Sequence, residues 1–311
     1  MMEKIIDPID VELIQQELTK ETFLRNTNNG KNEIYIINCK NAPNTLKEIG
    51  RLREITFRDA GGGTGKSCDL DEFDISDNPY EQLIVWNPEF REIVGGYRFL
   101  LCNKAEFDKN GQPVLATSEI FHFSEKFIRE YLDQTIELGR SFVQPNYQPT
   151  VDFRKGMYSL DNLWDGLGAV IIDNPHLRYF FGKITMYPHF NREARDLILF
   201  FINKYFKDNE GLVHPIKPLE ITTSEKKLKS ILSADNYKDD YNILIQEVRK
   251  RKENIPPLVN AYMNLSATMR CFGTALNPTF GNVEETAILI AIADIYDIKK
   301  ERHLNSYTKE N

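Results

Sequence analysis

The 311-residue chain lacks any long uncharged apolar run, whereas a spanning helix needs about 18 or more such residues. Its first segment, MMEKIIDPIDVELIQQEL, carries acids where a secretory leader has a basic and then an apolar stretch, so export is not expected. Cysteine is sparse. Cys39, Cys68, Cys102 and Cys271 lie far apart, with no CxxC pair and no histidine at ligand spacing. That excludes a disulfide framework and a zinc site, predicts no bound metal, and fits reduced thiols in the cytoplasm. His122, His176, His189, His214 and His303 form no motif. A basic excess is also missing: 39 Lys and Arg face 46 Asp and Glu, a net charge of -7. Nucleic acid is therefore not expected as a partner, and any anion must meet a local patch. One such patch gathers Arg154 and Lys155 with Arg178, Lys183, Arg192 and Arg195.

An apolar content of 41% is enough for a substantial core. Residues 1–30 read as a helical extension, a polar helix over 3–30 that ends in NTNNG. The core domain then runs over 31–300, beginning with the alternating strand IYIIN. NTLKEIGRLREITFRDAG spaces its apolar residues for a helix capped by Asn44 or Thr45 and stopped at Gly61. EQLIVWNP and REIVGGYRFLLC predict a hairpin turning at Asn87-Pro88-Glu89. A helix near 124–132, the strand TIELGRSFV (135–143) and the loop QPNYQPT follow. SLDNLWDGLGAVIID predicts a helix, YFFGKITMY a strand, and NREARDLILFFINKYF a helix capped by Asn191. Residues 211–255 are charged and read as a helical insertion, with surface helices at TSEKKLKSIL and YNILIQEVRKRK. IPPL suits a helix entry, ETAILIAIADI a buried strand, and 301–311 a tail. The order of elements indicates an α/β fold with a mixed central sheet flanked by helices.

AGGGTGKS (60–67) satisfies the loosest phosphate-loop pattern, and AVIID (169–173) could be taken for the acidic strand that accompanies it. The mechanism needs a buried strand feeding the loop and a helix leaving it. Here the charged LREITFRD precedes and the acidic CDLDEFDISD follows, so an NTPase is disfavoured and a flexible glycine-rich connection preferred.

CDLDEFD supplies Asp69, Asp71, Glu72 and Asp74; GGYRFL supplies Arg98; TIELGRSFV supplies Glu137 and Arg140 among apolar neighbours. Charges in a central strand are rarely left unpaired, so these residues predict either a buried salt-bridge network or a catalytic cluster. In order, DEFD (71–74), VGGYRFL (94–100), ELGRSFV (137–143), LWDGL (163–167), FFGKITM (180–186) and IPPL (255–258) resemble the landmarks of the ornithine-lipid and glycine-lipid N-acyltransferases, a family also labelled as hemolysins. That family belongs to the GNAT superfamily and is similar to acyl-homoserine-lactone synthases. The resemblance runs from about Arg51 to Asp294 and covers 211–255 poorly.

The resemblance implies a GNAT fold and an enzyme that moves a fatty or 3-hydroxy fatty acyl group onto the amine of glycine or ornithine in aminolipid synthesis. It carries over Asp71, Asp74, Arg98, Glu137 and Arg140 as the active-site cluster, and Arg53 and Phe57 as residues near the acyl channel. In such enzymes an amide at a bulge in the Glu137 strand faces the thioester oxygen. Glu137 is the candidate base, Arg98 or Arg140 the holder of the acceptor's carboxylate, with Asp71 and Asp74 orienting the arginines. Ser141, assigned to substrate contact, is the one tempting nucleophile, but no histidine is placed to activate it. The Q/R-x-x-G-x-G/A pyrophosphate loop of CoA-dependent relatives is missing after this strand, which favours acyl carrier protein over acyl-CoA as co-substrate. Arg154 and Lys155 are expected at the donor, no tightly bound cofactor is expected, and YFFG and LFFINKYF are candidates to line an acyl groove. A cytoplasmic protein with peripheral contact to the inner membrane face follows from the lipid product. A lactone-synthase-like enzyme and an inactive GNAT-fold binding protein remain as rival readings.

Overall fold

The alternating IYIIN, EQLIVWN and REIVGGYRFLL segments become neighbouring antiparallel strands in the computed structural model, which describes residues 2–308. In chain order the first half holds α1 (Val11–Glu17), β1 (Phe23–Asn26), β2 (Glu33–Ile37), α2 (Pro43–Asp59), α3 (Glu72–Ile75), β3 (Glu81–Asn87), β4 (Glu92–Leu101), β5 (Phe121–Phe123), α4 (Glu125–Glu130) and β6 (Thr135–Val143). The second half holds α5 (Phe153–Gly156), α6 (Ser159–Asp173), β7 (Tyr179–Met186), α7 (Arg192–Phe206), β8 (Val213–Pro215), α8 (Glu225–Ile231), α9 (Tyr237–Lys250), α10 (Pro257–Met263), β9 (Arg270–Asn277), β10 (Val283–Ala291) and α11 (Asp297–His303). The fold is α/β, as the sequence predicts. The chain forms two compact units, one built from the segment through Lys104, Ile136–Leu177 and the segment from Tyr296, the other from Ala105–Thr135 and Arg178–Ile295.

In the first unit the strands lie in the order β1-β2-β3-β4-β6, each neighbouring pair antiparallel. Alternation along β3 sends Gln82 to Arg53 of α2 and Leu83 to α6, so these two helices cover opposite faces. The fit on α6 is close: a Cβ at Gly166 would sit 2.7 Å from Leu83 Cδ1. In α2, Leu46, Ile49, Leu52 and Phe57 are all buried, and each stabilises the fold by roughly 1.5–3 kcal/mol.

Three expectations change here. Residues 3–30 are not one helix: α1 is short, and FLRN pairs with β2 as strand β1. Neither Asn44 nor Thr45 caps α2, whose N-cap is Ala42. Instead the Glu17 carboxylate of α1 accepts the backbone N–H of Asn44 (3.0 Å) and of Thr45 (2.7 Å). A cap so remote in sequence cannot be read from the helix itself. Glu17→Ala should therefore cost about 1–2 kcal/mol, measured by urea unfolding, and a loss below about 0.3 kcal/mol would show that the cap contributes nothing. The expected tail is also built in. Its His303 Nδ1 lies 2.8 Å from Asp165 of α6, and Asn28 joins Asp165 to the carbonyl of Arg302; residues 309–311 of the tail lie outside the described residues.

The second unit holds the strands β7-β10-β9, antiparallel, and the small pair β5-β8. Asn191 caps α7 as predicted, accepting the N–H groups of Glu193 and Ala194. Helices α8 and α9 fall where the 211–255 segment predicts them. The strand β9 is new, since the sequence predicts no strand between the IPPL helix entry and ETAILIAIADI. Phe180, Phe181, Phe201 and Phe206 are buried, and Phe181 packs against Phe123, Phe127 and Phe272. These rings fill the core of the unit rather than an open groove.

Candidate active site

The DEFD spacing makes one helical turn. Asp71 caps α3 by accepting the N–H of Phe73, and Asp74 three residues on accepts the N–H of Asp71 at 3.1 Å, a reciprocal capping box. Both carboxylates are thereby fixed on the same turn. Arg98 of β4 reaches both with one nitrogen, Nη1 lying 2.5 Å from Asp71 and 3.0 Å from Asp74. Its guanidinium also stacks over the rings of Phe73 and Tyr80. From α2, the fully buried Arg53 donates to Asp74 at 3.1 Å and to Gln82, whose amide in turn donates to Asp74 at 2.9 Å. Asp74 is thus wedged between two arginines.

Glu137 and Arg140 stand three apart on β6, a spacing that regular alternation would send to opposite faces. The strand is not regular there. Gly96 pairs with Phe142 and Arg98 with Gly139, so Arg140 and Ser141 together face Tyr97, and Arg140 has φ +47°. This is a β-bulge with its first residue in the left-handed region, and it turns Arg140 back to the acidic side. There its Nε lies 3.0 Å from Asp69 and its Nη2 3.4 Å from Asp71. The neighbouring VGG is required by the same close approach: a Cβ at Gly95 would meet the Phe142 carbonyl oxygen at 2.4 Å. Glu137, 2% exposed, lies opposite Leu100 on the face that carries Arg98 and accepts a hydrogen bond from the Tyr80 hydroxyl.

Electrostatics sort the cluster. Burial raises the Asp74 carboxyl, but Arg53 and Arg98 outweigh it and hold the group well below the usual carboxylate range. Burial opposes the Arg98 charge, yet Asp74 and Asp71 more than compensate and hold it above the ordinary guanidinium range. For Arg53 burial prevails over the attraction of Asp74 and lowers it. Burial likewise raises the fully buried Asp69, against the pull of Arg140.

All five residues assigned to the cluster, Asp71, Asp74, Arg98, Glu137 and Arg140, lie in the first unit and, with Arg53 and Tyr80, on α2, α3, the approach to β3, β4 and β6. Phe57 is buried one turn beyond Arg53, and Ser141 is half-buried on the bulge. The anion patch read from the sequence changes. Lys183 is paired with Glu285 at 2.8 Å, and Arg195, 2% exposed, with Asp196 and Glu284. Lys155 lies over Phe90 and Tyr147 and 3.6 Å from Glu92, while Arg154 is exposed on α5. Asp69, Tyr80 and Gln82 are members that sequence reasoning passed over. Gln82 had a signal, a polar residue inside the apolar run EQLIVWN; Asp69 was visible only as one of several acids, and Tyr80 had none.

The phosphate-loop look-alike is closed on the protein's own anion. Glu54 of α2 accepts the N–H groups of Thr64 and Gly65 and the Thr64 hydroxyl, and AVIID is helical. Among the described residues no three His, Cys, Asp or Glu side chains are grouped to hold a metal ion.

The Acetyltransferase (GNAT) domain model matches residues 52–153, a span that contains the entire cluster from Arg53 to Arg140. A glycine N(alpha)-acyltransferase of Phocaeicola vulgatus is 56% identical over 310 residues, covering 100% of this chain and 95% of the relative. Another protein of that name, from Bacteroides thetaiotaomicron, is 56% identical over 310 residues, covering 100% of this chain and 92% of the relative. The chain belongs to their family. It is therefore an acyltransferase with a GNAT domain, as the motif order led us to expect. Among solved structures, FeeM, an N-acyl amino acid synthase from uncultured soil microbes, aligns with TM-score 0.40 at 11% identity, covering 88% of this chain and 96% of that one. The AHL synthase LasI aligns with TM-score 0.35 at 10% identity, covering 91% and 100%. Among the described residues of this family member, no helix is long and apolar enough to cross a membrane.

Proposed function

We propose that the chain transfers a fatty acyl group from a carrier-bound thioester to the amine of glycine. The observation that carries this reading is 56% identity along the whole chain to two proteins named for glycine N-acylation. The site chemistry is compatible. An amino acid's α-ammonium is mostly protonated near neutral pH and must lose a proton before it can attack. In this reading Glu137 takes that proton, directly or through one water. The neutral nitrogen adds to the thioester carbonyl carbon; the C–N bond forms, the C–S bond breaks, and its electron pair leaves on sulfur. Of the two protons that the nitrogen sheds, one ends on the thiol and one in water.

The bulge at Arg140–Ser141 supports an amide donor for the thioester oxygen, since it takes those residues out of one-to-one pairing. Arg140, with 15% of its side chain exposed against 3% for Arg98, is the better holder of the acceptor carboxylate. Arg53 acts through Asp74, and Phe57 keeps the acyl-channel position that the resemblance gives it.

For the donor, acyl carrier protein is favoured over acyl-CoA. At the turn after β6 the N–H groups of Arg154 and Lys155 are taken by the Asp152 carboxylate, where a CoA-binding loop would offer amides to phosphate. The exposed Arg154 beside the exposed Phe153 suits an acidic carrier with an apolar rim. The product is an amphiphile, so we place the enzyme in aminolipid synthesis with peripheral contact to the membrane that receives it. Mass spectrometry of lipids from cells expressing the chain tests this: N-acyl glycine should appear, and N-acyl ornithine or an acyl-homoserine lactone in its place would overturn it.

A further inference from the structure

We infer that Tyr80 is a positioning residue for acyl transfer, holding the Glu137 carboxylate aimed through one hydroxyl hydrogen bond. This rests on the reading of Glu137 as the base. Tyr80 stands one residue before β3 and is 3% exposed. Its hydroxyl donates to Glu137 Oε2. The ring is held on two sides: Phe73 of α3 meets it edge-on with centroids 5.4 Å apart, and the Arg98 guanidinium lies 5.3 Å from its centroid. Its backbone N–H is tied to the Phe73 carbonyl at 2.8 Å. The turn that carries Asp71 and Asp74 therefore fixes Tyr80 at both backbone and ring.

The consequence is chemical. With Oε2 engaged by a donor, the carboxylate cannot rotate freely. The hydroxyl bond thus fixes the direction in which the base presents itself. It further couples the base to the arginine–aspartate network, because a shift of α3 moves Phe73 and with it Tyr80.

Tyr80→Phe keeps the ring and removes only the hydroxyl. With the purified full chain, glycine and whichever acyl thioester supports turnover, thiol release should show kcat lowered about 10- to 100-fold, the scale of one hydrogen bond to a charged group, with KM for the thioester within about twofold. Tyr80→Phe should thus lower kcat and kcat/KM together, the split expected when an aimed base rather than thioester binding is disturbed. A melting curve close to the parent's guards against misfolding, and Tyr80→Ala, which also strips the packing on Arg98, should be worse on both counts. If Tyr80→Phe retains parental kcat while Glu137→Gln is dead, the Tyr80 assignment is overturned and the base assignment stands. An equal further fall in kcat when Tyr80→Phe is added to Glu137→Gln also overturns it, because a hydroxyl that acts through the base has nothing more to lose there. If Glu137→Gln itself remains active, the base assignment goes, and the Tyr80 role with it.

Discussion

Glu137→Gln should lower kcat by about 100- to 10,000-fold, the range seen when a general base is removed, with little change in the melting temperature. The amide keeps the shape of the carboxylate, and its oxygen can still accept the Tyr80 hydroxyl bond that Glu137 accepts now. What it loses is the capacity to take the proton that, in the proposed reaction, Glu137 removes from the acceptor nitrogen. Because Glu137 makes its contacts on a sheet face already rigid with Arg98 and Gln82, the substitution leaves the surrounding network intact. The measurement is initial-rate kinetics beside circular dichroism on the same preparation. Parental kcat in a folded variant would remove Glu137 from the chemistry.

Asp74→Ala should be the most damaging change to stability in the cluster, costing about 3–5 kcal/mol. Its carboxylate is the shared partner of Arg53 and Arg98, and the Arg53 side chain is 0% exposed, so the substitution strands a buried charge that water cannot reach. The one-turn helix α3 also loses half of its capping box. Urea unfolding reads the loss, and a cost below about 1 kcal/mol would mean that the network rearranges freely. Acidity provides a second reading. A carboxyl held below its unfolded value adds stability that is complete above the unfolded pKa of about 3.9 and is lost as pH falls through the lower folded value. The gap between parent and variant should hence shrink only below about pH 4. Asp69 runs the other way: raised by burial, it adds stability at low pH that is lost as pH rises through its folded value.

Elements with strong period were legible. TIELGRSFV, SLDNLWDGLGAVIID and NREARDLILFFINKYF became β6, α6 and α7 within a residue or two. The failures have identifiable causes. FLRN is a four-residue edge strand whose only clue is its partner β2. RCFGTALN is interrupted by Gly273 at φ +92°, which breaks the alternation that would have revealed β9. Lys183 looks like a free cation because its carboxylate, Glu285, is about a hundred residues downstream.

The site was legible as a set of residues but not as a geometry. Order and spacing of DEFD, Arg98 and ELGRSFV singled out charges that the fold brings together, yet nothing in ELGRSFV announces a left-handed Arg140. Without that bulge Glu137 and Arg140 would diverge, and the motif would make no sense as one centre. Arg53, which the resemblance places near the acyl channel, lies fully buried against Asp74 and Gln82, a contact that its own helix does not announce.

The most direct test of the account incubates the purified chain with acyl carrier thioester and nitrogen-15 glycine, followed by mass spectrometry of the organic extract. The account predicts N-acyl glycine carrying the label, formed with one free thiol per amide and absent with Glu137→Gln. Release of free fatty acid without labelled amide, or equal labelled product from the Glu137→Gln variant, would contradict it.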